Sequence, residues 1–197
     1  MMNYFNDREF KDLTQKYSGS HCIRQVDLTF KNSRFFENMR KGIENDRRGE
    51  VVFCVFMNNK VIAIRSKEYP EGVFRIPTGG IRYGEDIEKA VLREVKEELG
   101  IKTVIRSFEG VLKMKISHLR KSVLFYSYLF FLDYVEGNLL EDATEDEVSE
   151  VRLVSLQELY GVSNFLLTLQ SFWEDWGRFR HESTSFTYEM IEKHSLI

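Results

Sequence analysis

The sequence predicts an α/β fold from three stretches. From Asp86 onward the apolar residues Ile87, Val91, Val95 and Leu99 recur every fourth position. That spacing, ended by Gly100, marks an amphipathic helix with its stop. Ahead of it, residues 51–57 and 60–66 are apolar runs joined by Asn58-Asn59, a two-residue hairpin signal. Behind it, residues 107–117 and 122–134 read as two strands around a turn at 118–121. A chain of 197 residues, 43% of them hydrophobic, suits one globular domain with a full core and added terminal elements.

In chain order, residues 1–50 are expected to form an N-terminal extension to a domain of residues 51–197. Residues 7–17 and 33–45 have helical spacing, the second through Phe35, Phe36, Met39 and Ile43, and residues 23–30 alternate as a strand. Asp46-Arg47-Arg48-Gly49 reads as a polar break. No chemistry is visible in this extension; packing, or the contact of a homodimer, is its expected role. Phe74-Arg75-Ile76-Pro77 is expected to be a short strand feeding a glycine loop. Residues 124–131 are nearly all apolar and belong at the sheet centre. Residues 136–150 form an acidic loop before a last strand and helix. Phe172, Trp173, Trp176 and Phe179 share a helical face suited to a sheet or a second subunit, and residues 186–193 form a last helix.

Composition narrows the function. Acids outnumber bases by 31 to 28, so a nucleic-acid partner is not indicated. Cys22 and Cys54 are too few for a disulfide framework and lack metal-ligand spacing; Cys54, inside an apolar run, is expected to be buried. The first residues offer no apolar signal core and no apolar run reaches membrane-spanning length. A cytoplasmic protein without a membrane partner is the expectation.

The helix of residues 87–99 carries the chemistry. With Ile87 at zero and about 100° per residue, Val91 and Val95 fall near 40° and 80°, and Glu94, Glu97 and Glu98 at roughly 340°, 280° and 20°. Glu98 therefore points into the edge of the apolar stripe, with the other two beside it. Three carboxylates crowded there repel one another and lose solvation unless a positive group sits among them. A hard divalent cation with oxygen ligands is one such partner. Neutralisation by Lys89, Arg93 and Lys96 on a solvated face is the other, and Glu98 lies on the wrong side for it.

Gly79, five residues, Glu85, seven residues, then Arg93-Glu94-Val95-x-Glu97-Glu98-x-Gly100-Ile101 matches the Nudix box at every fixed position. A chance match in one window is on the order of one in a billion at ordinary residue frequencies. The chain thus resembles the Nudix hydrolases, and the resemblance implies an α/β/α sandwich with a mixed sheet, the box helix on one side and the C-terminal helix on the other. It implies metal-dependent cleavage of the pyrophosphate bond of a nucleoside diphosphate linked to another group. Mg²⁺, with Mn²⁺ as substitute, would be held by Glu94, Glu97 and Glu98, by Glu85 through water, and by the carbonyl of Thr78 just before the box glycine. Thr78 stands where the family often has glycine.

Arg93 is expected to fix the carboxylates by salt bridges. A catalytic glutamate often lies in the family's acidic loop; Glu147 is the first choice here, with Glu145 and Glu150 behind it. Arg120 and Lys121 are open to two readings, a phosphate contact or a solvated turn, and His118 is read as a turn residue. Substrate signatures are missing: Ile116 stands where ADP-ribose hydrolases of the family often have proline, and Ser117 and His118 stand where diadenosine polyphosphate hydrolases often have tyrosine. The rival functions are a nucleotide-binding or regulatory module without turnover, and an isomerase-like activity.

Overall fold

The computed structural model describes residues 5–144 and 147–197. Its elements run α1 (Asp7–Lys16), β1 (Cys22–Thr29), α2 (Ser33–Asn45), β2 (Arg47–Met57), β3 (Lys60–Ser66), β4 (Thr78–Arg82) and α3 (Ile87–Leu99). They continue with β5 (Lys102–His118), β6 (Lys121–Glu136), β7 (Val148–Val154), α4 (Leu156–Leu166), a single 3₁₀ turn at Ser171–Trp173, and α5 (Glu174–His194).

One mixed sheet organises them, in the order β1-β5-β6-β2-β3-β7, with β4 added to β2. β6 runs parallel to β2 and antiparallel to β5, and β1 runs parallel to β5 from Cys22 beside Gly110 to Thr29 beside Ser117. The period of two divides the buried side chains between the faces. Val51, Phe53 and Val55 pack with Leu13 of α1 and with Ile87, Val91, Val95 and Leu99 of α3. Val52, Cys54 and Phe56 pack on the other face with Phe36 of α2, Leu159 of α4, and Phe179 and Phe186 of α5. The result is helices on both sides of a mixed sheet, the expected α/β/α sandwich.

Four local expectations change. Arg47–Gly49 is not a break: β2 begins at Arg47, because pairing with Arg82 and Ile81 of β4 gives its backbone partners. The strand before the box helix is Thr78–Arg82 rather than residues 74–77, where only Arg75 forms a bridge, to Ile64. The strands of residues 107–117 and 122–134 extend to Lys102–His118 and Lys121–Glu136, so the turn shortens to Leu119 and Arg120. The C-terminal segment is one helix, Glu174–His194, continuous through the polar stretch Arg180-His181-Glu182.

The hairpin at Asn58-Asn59 is as expected, both residues taking the positive φ that a two-residue turn requires. Among the described residues, no helix is long and apolar enough to cross a membrane.

Candidate active site

α3 is fixed at both ends by its own sequence. The Asp86 side chain caps the start by accepting from Lys89 N at 3.1 Å, and Gly100 ends the helix with φ +70°. Between them the apolar stripe seats α3 on the sheet, which turns Glu94 and Glu98 inward: they are 7% and 2% exposed. β4 lies against the same helix. A Cβ on Gly79 would overlap the Glu94 side chain, so the strand approaches the carboxylate only because that residue is glycine.

Arg93 gathers the surrounding carboxylates. Its Nε donates to Glu85 Oε1 at 2.7 Å, and Nη1 donates to Glu94 Oε1 at 2.7 Å and Glu97 Oε2 at 2.6 Å. Nη2 reaches Gly80 O at 2.8 Å and Glu85 Oε2 at 3.0 Å. These bonds, those to Glu85 foremost, raise the Arg93 pKa further. Burial pulls Glu85 upward, but Arg93 and the Arg82 backbone N–H together hold it below the usual carboxylate range. Arg93 thus makes the salt bridges expected of it.

Glu98 is different. Its Oε2 is buried and, among the described residues, has no hydrogen-bond partner. Burial pushes its pKa up to about 8, against the pull of Arg75 and with the added repulsion of Glu147 and Glu94. A cavity of about 300 Å³ opens beside it, lined by Asp46, Glu94, Glu98, Glu147, Thr78, Gly79, Gly80 and five arginines: Arg47, Arg75, Arg82, Arg93 and Arg180.

Three of these cations carried no signal in the sequence analysis. Arg75 is 2% exposed; its Nε donates to Tyr69 Oη at 2.8 Å, and its Nη1 to Ile76 O at 3.0 Å and Thr78 Oγ1 at 3.1 Å. A lone charge inside the apolar run Val73-Phe74-Arg75-Ile76 was the available clue. Arg180 comes from α5, its Nη1 donating to Glu50 Oε2 and to Thr78 Oγ1, both at 2.9 Å. Glu50 is itself buried and accepts from Ser127 Oγ at 2.7 Å. Arg47 opens β2.

Glu147 is more than half exposed on the cavity wall, its Oε1 3.9 Å from Arg75 Nη2. Glu145 lies outside the described residues. Glu150 accepts from Arg152 Nε at 2.9 Å and lies 3.8 Å from Arg65. Arg120 and Lys121 sit at the β5–β6 turn, where Lys121 pairs with Glu37 at 2.7 Å. His118 Nδ1 is 2.9 Å from Phe30 O.

Among the described residues, no three His, Cys, Asp or Glu side chains stand together as a ready metal-ligand set. Arg93 draws Glu85 and Glu97 to itself, and neither lines the cavity. The donors that suit a hard cation are the unpartnered buried oxygen of Glu98 and the neighbouring Glu94. Cation binding to this pair also relieves the cost of two buried carboxylates side by side.

Residues 47–174 match the NUDIX domain family. An ADP-ribose pyrophosphatase of Methanocaldococcus jannaschii is 38% identical over 93 residues, 46% of this chain and 54% of the relative. Nudix hydrolase 2 of Arabidopsis thaliana is 31% identical over 116 residues, 57% of this chain and 40% of the relative. The matched stretch therefore spans about half or less of these curated relatives. The solved structure of a UDP-X diphosphatase superposes with a TM-score of 0.51 over 81% of this chain and 72% of that one, at 15% identity, a likeness of fold.

Proposed function

We propose, from the premise that this chain belongs to the NUDIX domain family, that it hydrolyses the pyrophosphate bond of a nucleoside diphosphate linked to another group, using Mg²⁺ with Mn²⁺ as substitute. The observation that carries the reading is Glu98, a buried carboxylate with an unpartnered oxygen, facing a polar cavity walled by arginines. The catalytic domain is residues 51–197, and residues 1–50 are an extension that adds an edge strand, β1, and two helices, α1 and α2, to it, together with the first residues of β2. Two free cysteines fit a reducing, cytoplasmic setting.

In the reaction, the oxygen of water bonds to one phosphorus, the bond from that phosphorus to the bridging oxygen breaks, and two phosphate monoesters leave. A divalent cation, when bound, would supply positive charge that offsets the negative charge developing during the displacement. Glu94, Glu98 and the carbonyl of Thr78 would hold it. Glu97 and Glu85 stand behind them, kept in place by Arg93 and free to join only as that arginine releases them. Arg47 and Arg180, which pair with Asp46 and Glu50, turn their remaining N–H groups to the diphosphate as it enters, since an unpaired dianion away from bulk water is costly. Glu147, exposed at the wall, accepts the proton of the attacking water.

A panel of ADP-ribose, nucleotide sugars, dinucleotides and nucleoside triphosphates, followed by phosphorus NMR with Mg²⁺, tests the reading. ADP-ribose heads it because of the Methanocaldococcus jannaschii relative, although Ile116 replaces the proline frequent in such enzymes. Turnover of at least one diphosphate-linked member is expected. Nucleotide binding without any product would replace the hydrolase with a binding module.

A further inference from the structure

The carboxylate cavity shares two of its walls with a neighbour. Arg47 and Arg180, which line it, also line a second cavity of about 230 Å³. The chemistry changes across them. Phe35 of α2, Phe125 of β6, and Trp176 and Phe179 of α5 wall the second space, Asn38 of α2 lines it with an amide, and Glu50 of β2, bonded to Arg180, lines it as well. Arg180 sits at the junction, its guanidinium carbon 4.9 Å from the centre of the Phe179 ring. Its Nη1 is tied to Glu50 and Thr78, while its Nε is buried and, among the described residues, has no hydrogen-bond partner.

A chamber of arginines and carboxylates that shares Arg47 and Arg180 with an aromatic one complements a molecule with cation-bound phosphate at one end and a flat ring at the other. The aromatic space by itself is smaller than ordinary ligand pockets of roughly 300–1,000 Å³; taken with the neighbouring polar one, it falls within that range. We infer that this second cavity, built between α2 and α5, receives the aromatic base of the nucleotide substrate. Arg47 and Arg180 face the phosphates at the junction, and the inference rests on the hydrolase reading above. The base lies among the rings, where stacking is tolerant of base identity. The Asn38 amide, offering two N–H donors and a carbonyl acceptor, meets the base edge. The N-terminal extension thereby forms one wall of the substrate site.

Glycines give a direct test. A Cβ on Gly42, which lines the aromatic cavity from α2, meets nothing within 4 Å. Gly42→Phe therefore places a ring at the cavity wall with no clash at its Cβ, and it replaces a poor helix former with a better one. Gly161 of α4 has the same free space but lines neither cavity, so Gly161→Phe is the control. AMP and ribose 5-phosphate carry the same phosphate on the same sugar and differ in the base. Their affinities for the full chain with Mg²⁺ are measured by calorimetry and by quenching of tryptophan fluorescence, to which Trp176 reports.

Wild type is expected to bind AMP at least about tenfold more tightly than ribose 5-phosphate, the scale of one base stacked on aromatic side chains. Gly42→Phe removes that preference and Gly161→Phe keeps it. Equal affinities in wild type overturn the inference without any variant, as does a preference that survives in folded Gly42→Phe. The substrate panel run alongside separates the two claims. Turnover with no base preference overturns the inference alone. An AMP preference with no turnover overturns the hydrolase and leaves the base cavity standing.

Discussion

Replacing Glu98 by Gln should stabilise the chelator-treated protein, and by an amount set by pH. Glu98 is 2% exposed, and burial lifts its pKa from 4.5 to about 8. The native state therefore keeps a proton that the unfolded chain releases between those values. The stability this gives wild type is complete below pH 4.5 and is lost as pH rises towards 8. The loss runs at about 1.4 kcal/mol per pH unit, to an upper limit of about 5 kcal/mol. Glutamine has nearly the same shape and never ionises, so the variant gains on wild type by the same amount. Water entering the adjacent cavity of about 300 Å³ softens the penalty. About half the limit, on the order of 2 kcal/mol, corresponds to roughly 4–8 °C in Tm for a chain of this size. Calorimetric melts of both proteins in excess chelator at pH 5 and pH 8.5 give the comparison; groups common to both proteins cancel in the difference. A Tm difference that does not grow with pH, or a variant less stable at pH 8.5, would refute the assignment of Glu98 as a buried, uncompensated carboxyl.

Other consequences follow from the same geometry. Turnover should require Mg²⁺ or Mn²⁺ and stop in excess chelator, which steady-state assays in metal-depleted buffer measure directly. Glu147→Gln should lower kcat by about 10²-fold, the lower end for loss of a general base, with little change in KM or metal affinity; Glu141→Gln, away from the cavity, should be close to silent. Arg93→Ala removes charge-assisted bonds to Glu85, Glu94 and Glu97, and chemical denaturation should show a loss of about 2 kcal/mol.

The helix at the centre of the site was readable because its determinants are local. Ile87, Val91, Val95 and Leu99 fix which face is buried, Asp86 and Gly100 fix the ends, and the helical period then fixes the depth of Glu98 relative to Glu97. The sheet was readable where strands are apolar on both faces, as in β6. Arg47–Gly49 was misread because its charges hide a backbone paired with β4. Thr78–Arg82 was misread because glycines suggest a loop, whereas here they let a strand approach Glu94. The cations were hidden for a different reason. Arg47, Arg75 and Arg180 reach one cavity from β2, the segment before β4, and α5, a convergence that exists only after packing. The place of α2 in a cavity wall was hidden likewise, since Phe35 and Met39 have the spacing of ordinary core residues.

The central claim, that Glu98 serves hydrolysis through a bound divalent cation, is tested most directly by kcat. Wild type and Glu98→Gln are compared at saturating Mg²⁺ on the best member of the substrate panel, with both proteins shown to be folded by their melts. The account predicts a fall of at least about 10²-fold, the scale for losing a main electrostatic element of phosphoryl transfer. A variant turning over at the wild-type rate would contradict it.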